Sequence, residues 1–298
     1  MICALLPVVI VNFNAGGRLT DCVRSVLASD CPVVVHVSDN GSTDDSLSLL
    51  RREFGHDPRL TIRENRANLG FARGNNVVLP ELPASEYILF LNPDCVVQPD
   101  TLSAMMRTIA SHPAAGLACC LIRNPDGSEQ RGCRRRLPTP WQALIQVLQL
   151  QRFTRWQSFN LHDTPLPDLP VVVEAVSGAF MLVRRTAMAR VGLLDEGYFL
   201  HCEDIDWCAR FGLAGHPVLF VPQVSIVHHQ GSCSHRRPLR VEWHKHRGML
   251  RYYRKFHARR YPAPLMLAVY AMVGVRFGML AVWLTARRLK YGSRAADQ

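Results

Sequence analysis

The sequence predicts an α/β fold, with a mixed, mostly parallel sheet flanked by helices and followed by a helical C-terminal tail. Short β-branched runs alternate with helical patterns through the first hundred residues, which is typical of βαβ units. Each of these strands ends in a polar turn, and such turns gather at one edge of a parallel sheet. Residues 1–233 hold 20 Lys+Arg and 22 Asp+Glu, whereas residues 234–298 hold 15 and 2. We therefore expect a near-neutral domain over 1–233 and a basic tail over 234–298.

The first part of the chain alternates strands and helices in a regular order. Apolar runs that end in polar residues predict four strands, at residues 8–14, 33–38, 60–63 and 87–91. Apolar residues spaced for one buried face predict a helix at Leu19–Leu27 and another around Leu47–Leu50. The glycine-punctuated stretch Asn68–Asn76 predicts a turn that enters a third helix. Three polar turns are therefore expected together along one sheet edge, where they form a nucleotide-sized site.

The strand Tyr87–Leu91 ends abruptly in Asn92-Pro93-Asp94. Because proline has no N–H to give to a strand ladder, the strand stops there and Asp94 is held on a bend. Ligands bind at the carboxyl ends of strands in open α/β sheets, so Asp94 is our first candidate for a metal ligand. Taken alone, the same tripeptide is also typical of an Asx turn.

The following stretch is less regular. A helix is expected at 101–109, and residues 117–170 contain the basic cluster Arg131–Arg136 and several prolines. A short helix is expected at Trp141–Leu150, and we place substrate-contacting variability in this region. Strands return over 171–183 and 218–227, and the second of them is followed by His228 and His229.

Three acids, Glu203, Asp204 and Asp206, lie within four residues at the start of a predicted helix. Acids near a helix N-terminus complement the helix dipole, and this accounts for one or two of them. Glu203 and Asp206 share a helix face, whereas Asp204 points elsewhere, so one carboxylate can face a site while others cap the helix or pair with Arg210. A carboxylate near a diphosphate can accept a proton from a hydroxyl as general base.

His228 and His229 follow a strand, so their side chains leave on opposite faces. One of them can turn toward the site and the other toward the core. A single histidine at a strand end is often structural. Together with the carboxylate of Asp94, however, a neutral imidazole would complete a site for Mg²⁺ or Mn²⁺, with phosphate oxygens as further ligands.

Seven motifs follow one another along residues 8–234. They are, in order, Val9-Ile10-Val11-Asn12-Phe13-Asn14, Ser38-Asp39-Asn40-Gly41-Ser42-Thr43-Asp44, Asn68-Leu69-Gly70-Phe71-Ala72-x-Gly74-x-Asn76, Leu91-Asn92-Pro93-Asp94, Ser177-Gly178-Ala179-Phe180, Glu203-Asp204-x-Asp206 and His228-His229-x-Gly231. In this order they resemble the motifs of family-2 inverting glycosyltransferases of the GT-A fold, and in particular of their rhamnosyltransferase-like branch, which uses dTDP-sugars. Seven motifs in the same order are far more specific than any one of them.

The resemblance implies a GT-A catalytic domain over residues 1–233 and a role for each motif. On the donor side, Asp39 would bind the nucleotide base, Asn12 and Asn14 would line the pocket beside it, and a turn would follow the ribose and diphosphate. The residues of that turn are Asn68, Gly70, Phe71 and Asn76. Asn92 replaces the first aspartate of the family's DxD motif and joins the donor side, while Asp94 stands at the last, metal-binding aspartate.

The resemblance also implies a catalytic base and a metal centre. Asp204 would be the base, and the metal, Mg²⁺ or Mn²⁺, would be held by Asp94 and His228, or by His229 in its place. Four residues would lie on the acceptor side: Ser177, Gly178, Glu203 and Asp206. The implied reaction is transfer of a sugar, rhamnose being favoured, from a dTDP- or UDP-sugar to a hydroxyl of a glycan or polyprenyl-linked acceptor, in cell-surface polysaccharide synthesis.

The tail predicts contact with a membrane. Apolar residues recur at helical spacing among Arg and Lys from Arg236 to Arg260, which is typical of a helix on an anionic membrane surface. Two apolar runs follow, Leu265–Val275 and Phe277–Leu284, separated by Arg276. We favour a peripheral or monotopic anchor at the cytoplasmic face of the inner membrane over a membrane-spanning helix, because a central arginine is costly in a bilayer. A helical hairpin that packs on the catalytic domain is the structural alternative.

Two other classes of function fit parts of the sequence. The basic tail could bind nucleic acid, but its long apolar runs have no use there, so we expect no nucleic-acid partner. The acids and histidines could form a metal-dependent phosphohydrolase, which usually needs a denser ligand set. Ten cysteines without a CxxC pair indicate reduced thiols of a cytosolic protein, and the N-terminus has no pattern of a signal peptide.

Overall fold

The computed structural model describes residues 4–147, 159–229 and 238–292. Its strands are β1 Leu6–Asn12, β2 Val33–Asp39, β3 Leu60–Glu64, β4 Tyr87–Leu91, β5 Cys95–Val96, β6 Leu117–Arg123, β7 Arg134–Arg135, β8 Val171–Val173, β9 Ala175–Val176, β10 Phe180–Arg184 and β11 Val218–His228. Its helices are α1 Gly17–Leu27, α2 Ser46–Phe54, α3 Phe71–Asn76, α4 Thr101–Ala110, α5 Pro140–Val147, α6 Arg185–Val191, α7 Glu203–Leu213, α8 Pro238–Phe256 and α9 Ala263–Gly292, with a short 3₁₀ turn at Leu79–Glu81.

One large sheet contains most of the strands between Leu6 and His228. Within the described residues its order is β3-β2-β1-β4-β10-β6-β11-β5, and β8 pairs with β11. Strands β3, β2, β1 and β4 are parallel, as are β6 and β11, whereas β10 runs antiparallel between β4 and β6. This architecture confirms the predicted α/β fold with a mixed, mostly parallel sheet and helices around it.

The central strands are buried on both faces because helices cover them. Every residue of β1 and of β4 is buried, which accounts for their almost uninterrupted apolar sequences. Helix α1 directs Leu19, Val23 and Val26 into this core, as its helical spacing predicted. Phe90 of β4 packs edge-on against Trp207 of α7, with ring centroids 5.2 Å apart.

The stretch 171–183, predicted as strand, is divided into β8, β9 and β10 with different partners. Strand β8 pairs with β11, β9 with β7, and β10 with both β4 and β6. The division leaves the segment Ser177-Gly178-Ala179 outside any strand, directly before β10. This segment lies at the site described below.

The described residues form two compact units, and the second contains two short segments from within residues 1–233 as well as the tail. The first contains residues 4–137, 159–199 and 203–229, and the second contains 138–147, 200–202 and 238–292. In the second unit α9 packs on α8 and α5, and Trp243 of α8 contacts Phe277 with ring centroids 5.3 Å apart. The two apolar runs of the tail thus form one continuous helix. Parts of three predicted features lie outside the described residues: residues 236–237 at the start of the basic helix, Gly231 of the last motif, and residues 148–150 of the predicted short helix.

Candidate active site

The ends of β1 and β2 are tied together at the carboxyl edge of the sheet. Asn12 and Asp39 are the last residues of these strands and pair in register, and Asn12 Nδ2 donates a hydrogen bond to Asp39 Oδ1 at 2.8 Å. The other carboxylate oxygen of Asp39 accepts the N–H groups of Gly41 and Ser42, at 3.1 and 3.0 Å. Asp39 is only 2% exposed. The hydrogen bonds from Gly41 and Ser42 to Asp39 therefore hold the loop after β2 in its conformation.

The loop that follows β2 is also held by Asn14. Its Oδ1 accepts the N–H groups of Thr43 and Asp44, at 2.7 and 3.3 Å. Asn14 has a φ of 55°, a left-handed conformation that asparagine tolerates better than most residues. Asn12, the last residue of β1, and Asn14, two residues after it, thus both bind the loop that Asp39 closes.

The second predicted donor turn is built around Gly70. Asn68 Oδ1 accepts the Gly70 N–H at 2.9 Å, and Gly70 has a φ of +80°. A Cβ on Gly70 would lie 2.4 Å from the carbonyl oxygen of Phe199, so only glycine fits. Asn76, at the end of α3, is buried and donates to the Leu194 carbonyl at 2.8 Å.

Asp94 and His228 meet at the centre of the site. The Asp94 Oδ1 and His228 Nε2 atoms are 3.0 Å apart, and the two side chains are 8% and 6% exposed. Strand pairing fixes this proximity, because His228 is paired with Cys95 and the His229 N–H donates to the Asp94 carbonyl. Asn92 Nδ2 lies 3.4 Å from the same imidazole nitrogen.

This donor set fits a divalent cation. Asp94, Cys95 and His228 each offer a ligand atom within 4.8 Å of the others, and all three are buried. A carboxylate and an imidazole suit Mg²⁺ or Mn²⁺, whereas the Cys95 thiol contacts the Ala179 carbonyl and burial raises its pKa. His229 is not among these ligand groups.

Asp204 lies at the start of α7 in an ion pair with Arg135. The Arg135 guanidinium is 2.5 Å from Asp204 Oδ2, and both side chains are 13% exposed. The same carboxylate accepts the N–H groups of Gly178 and Ile205, at 3.0 and 2.8 Å. Burial alone would raise the pKa of Asp204, but Arg135 and these N–H groups outweigh it and hold that pKa below its usual value.

Gly178 brings the donor turn and Asp204 together. A Cβ built on Gly178 would lie 3.4 Å from the Asp204 Cβ and 3.7 Å from the ring of Phe71. The next residue, Ala179, accepts the Asn92 N–H at 2.9 Å. Phe71, Gly178, Asp204 and the Asn92–Asp94 bend are thus connected within one site.

The other two acids of α7 are placed differently. Asp206 is fully buried, pairs with Arg210 at 2.7 Å and accepts the Tyr198 hydroxyl at 3.2 Å. These are the contacts of a structural residue, as the alternative interpretation of the cluster expected. Glu203 is also buried, at 6% exposure. Ser177 lies beside Gly178, and its hydroxyl accepts the Ala179 N–H at 3.3 Å.

A model of glycosyl transferase family 2 matches residues 8–192, more than half of the chain. The chain belongs to glycosyl transferase family 2. The resemblance drawn from the seven motifs is thereby confirmed, and this family 2 chain is a glycosyltransferase.

Two curated relatives of this glycosyltransferase are rhamnosyltransferases. The N-acetylglucosaminyl-diphospho-decaprenol L-rhamnosyltransferase of Mycobacterium tuberculosis is 30% identical over 252 residues, which cover 78% of this chain and 79% of the relative. Rhamnosyltransferase WbbL of Escherichia coli is 31% identical over 235 residues, which cover 76% of this chain and 83% of WbbL.

A solved structure confirms the GT-A architecture. The mannosyltransferase of Pyrobaculum calidifontis, solved with GDP-Man and Mn²⁺, superposes with a TM-score of 0.59. The two sequences are 17% identical, and the match covers 99% of this chain and 81% of that chain.

Two polar residues of the glycosyltransferase site were not assigned from the sequence. Arg135 belongs to the basic cluster Arg131–Arg136. The positive charge of this cluster was evident from the sequence, but its contact with Asp204 was not. Gln130 accepts a hydrogen bond from the His228 imidazole at 2.6 Å, and nothing in its sequence surroundings indicated this contact.

Proposed function

We propose that this glycosyltransferase transfers rhamnose, from dTDP-rhamnose, to a hydroxyl of a lipid-linked glycan with inversion at the anomeric carbon. A dTDP-sugar is favoured over a UDP-sugar as donor, and the product would serve cell-surface polysaccharide synthesis. The names of both relatives state rhamnosyl transfer, and one names a decaprenol-diphosphate-linked N-acetylglucosamine. Family membership favours transfer over the phosphohydrolase and nucleic-acid alternatives.

The observation that carries the proposal is the connection made by Gly178 and Ala179. The Gly178 N–H donates to Asp204, and the Ala179 carbonyl accepts from Asn92, two residues before Asp94. Neighbouring residues therefore hold the candidate base and the bend that carries the candidate metal ligand. This is the arrangement needed to act on an acceptor hydroxyl and on a leaving diphosphate at the same time.

Asp94 and His228 would hold the divalent ion, Mg²⁺ or Mn²⁺, with phosphate oxygens at the remaining positions. When bound, the ion supplies positive charge against the negative charge that develops on the leaving nucleoside diphosphate. The presence of Mn²⁺ with a nucleotide sugar in the mannosyltransferase structure supports this assignment. Asn12, Asn14 and Asp39 would shape the base pocket through the loop that they hold.

Asp204 would accept the proton of the acceptor hydroxyl while the hydroxyl oxygen attacks the anomeric carbon of the donor sugar. The bond from that carbon to the diphosphate oxygen breaks on the opposite face as the new glycosidic bond forms, so the configuration inverts. Arg135 keeps Asp204 ionised, which is the form that can accept a proton. Ser177, Gly178 and Glu203 would border the acceptor, whereas Asp206 supports the fold.

The second unit would anchor the enzyme at the cytoplasmic face of the inner membrane. The most apolar 18-residue window within residues 263–287 of α9 has a mean hydropathy of 2.0, and 17% of that window is buried. Large apolar side chains remain exposed along one side of this helix: Leu267, Val275, Met279, Val282 and Trp283. Length and composition alone would also permit a span, but Arg276 favours a helix that lies in the interface of an anionic membrane. An anchored enzyme meets a lipid-linked acceptor on the same surface.

The proposal is tested by separating binding from transfer with two isosteric substitutions. Binding of dTDP, UDP and their sugars is measured by calorimetry with Mn²⁺ and without metal, and transfer is measured with a polyprenyl-diphosphate-linked N-acetylglucosamine. Asp94→Asn should abolish the metal-dependent part of nucleotide binding. Asp204→Asn should keep that binding and lose transfer by about 10²-fold or more. The proposal is wrong if wild type binds no nucleotide in either condition, or if Asp204→Asn transfers as fast as wild type.

A further inference from the structure

Gln130 has a buried side chain that contacts the candidate metal ligand His228 at Nδ1, the ring nitrogen that does not face Asp94. It lies between β6 and β7 and is 3% exposed. Its Oε1 is 2.6 Å from His228 Nδ1, and its Nε2 is 3.2 Å from the His228 carbonyl oxygen and 3.0 Å from Asn124 Oδ1. One side chain thus holds both the ring and the backbone of His228.

The contacts determine how the amide is oriented. A backbone carbonyl can only accept hydrogen bonds, so the amide nitrogen of Gln130 must be the atom that faces the His228 carbonyl. The amide oxygen must then face the imidazole. Since that oxygen is only an acceptor, His228 Nδ1 must carry a hydrogen.

In a neutral imidazole, a hydrogen on Nδ1 leaves Nε2 as the ring nitrogen with a free lone pair. Nε2 is the atom that lies 3.0 Å from Asp94 Oδ1. In the neutral ring with a hydrogen on Nδ1, Nε2 presents a lone pair beside the carboxylate oxygen. A divalent cation can therefore bind both the Nε2 lone pair and the carboxylate oxygen.

We propose that Gln130 is a positioning residue that presents His228 Nε2 to the divalent ion. Asn124 contributes by holding the Gln130 amide in its orientation. The inference rests on the proposed function, because it assumes the metal site of Asp94 and His228. A hydrogen bond to the outer nitrogen of a metal-ligating histidine fixes the ring, and loss of such a partner typically weakens metal binding by about 10- to 100-fold.

The test measures Mn²⁺ binding directly, from the electron paramagnetic resonance signal of free Mn²⁺. One series contains dTDP and a parallel series contains UDP. Gln130→Leu removes the acceptor and should raise the Kd for Mn²⁺ by about 10- to 100-fold. Gln130→Glu keeps an acceptor against Nδ1 but loses the N–H groups donated to the His228 carbonyl and to Asn124, so its Kd for Mn²⁺ should lie between those of wild type and Gln130→Leu. If Gln130→Leu does not fold, Gln130→Met replaces it, because methionine has a similar length to glutamine and also lacks the acceptor. The same increase in the Kd for Mn²⁺ is expected.

A matched control separates positioning from a general loss of stability. Ser103 on α4 is also buried, at 3% exposure, and donates to Asp30 at 2.8 Å without contacting His228. Ser103→Ala should leave the Kd for Mn²⁺ unchanged, and metal-free nucleotide binding should be unchanged in the variants of Gln130. The inference is overturned if Gln130→Leu binds Mn²⁺ as wild type does, or if Gln130→Glu loses as much affinity as Gln130→Leu. If wild type itself binds no Mn²⁺ with either nucleotide, the metal site of the proposed function fails, and the inference fails with it.

Discussion

The ion pair between Arg135 and Asp204 gives a quantitative prediction about stability. Replacing Arg135 by methionine keeps the bulk of the stem but leaves the Asp204 carboxylate, 13% exposed, without its guanidinium. Opposite charges about 4 Å apart attract by about 4 kcal/mol at an effective dielectric constant near 20. Removal of one partner from a buried pair typically costs about 3–5 kcal/mol. We therefore expect Arg135→Met to lower the free energy of unfolding at pH 7 by about 3 kcal/mol.

A double-mutant cycle isolates this interaction. Arg135→Met, Asp204→Asn and the double variant are unfolded with urea, and the interaction energy is the part of the single losses that is not additive. We expect about 2–3 kcal/mol, so the double variant should lose about 2–3 kcal/mol less than the sum of the two single losses. An interaction energy below about 0.5 kcal/mol, the usual size for an exposed pair, would refute the reasoning.

The same cycle has a defined pH dependence. The folded-state pKa of Asp204 is lowered, so its ionised form contributes stability above the unfolded pKa that is lost as pH falls through the folded one. Burial raises the pKa of Asp204, and in Arg135→Met fewer groups counteract this effect. The pKa of Asp204 should therefore rise in this variant. The difference in stability between wild type and Arg135→Met should therefore be largest near neutral pH and narrow below pH ~4. A difference that widens in acid would contradict the assigned cause of the shift.

Two further predictions concern the donor turn and the tail. Gly70→Ala should cost about 3 kcal/mol or more, because its Cβ would lie 2.4 Å from the Phe199 carbonyl oxygen at a φ of +80°. Gly127→Ala, at a φ of +86° with nothing within 4 Å, should cost only about 1–2 kcal/mol, and equal losses in urea unfolding would contradict the steric argument. Trp283→Glu on α9 should weaken sedimentation of the full chain with phosphatidylglycerol vesicles at least about fivefold, since Trp283 is 56% exposed on an apolar surface. Leu213→Glu on α7, at a residue that is 71% exposed, is the control and should not change it; equal effects would contradict the assignment of the surface to α9.

The sequence predicted the parallel half of the sheet well, and the antiparallel half poorly. Strands β1 to β4 alternate with helices, and such units have one favoured handedness and neighbouring positions. The insertion of β10 between β4 and β6 follows no local rule, because it depends on a pairing with β4 across some ninety residues. The break at Gly178 within the run 171–183 likewise depends on Asp204, 26 residues away.

The site residues divide in the same way. Asp94 and His228 could be selected from the sequence because each follows an apolar strand, which places a polar side chain at the sheet edge. Asp204 was selected from a cluster at a helix start whose acids could also pair with Arg210, and the structure shows that Asp206 is the acid that does so. Gln130 and Arg135 were missed because their partners lie 98 and 69 residues away in the chain.

The position of β11 also has a consequence for the moment at which the enzyme becomes active during synthesis. Strand β11 is the last strand of the chain that the structure describes, and it lies between β6 on one side and β5 and β8 on the other. A nascent chain that ends before Val218 therefore holds Asp94 without His228 and leaves the edge of β6 open. Pairings of such long sequence separation form late and slowly. Incomplete chains would thus lack one of the two residues that we propose as metal ligands, and a ribosome-released fragment without β11 would expose a strand edge that invites aggregation.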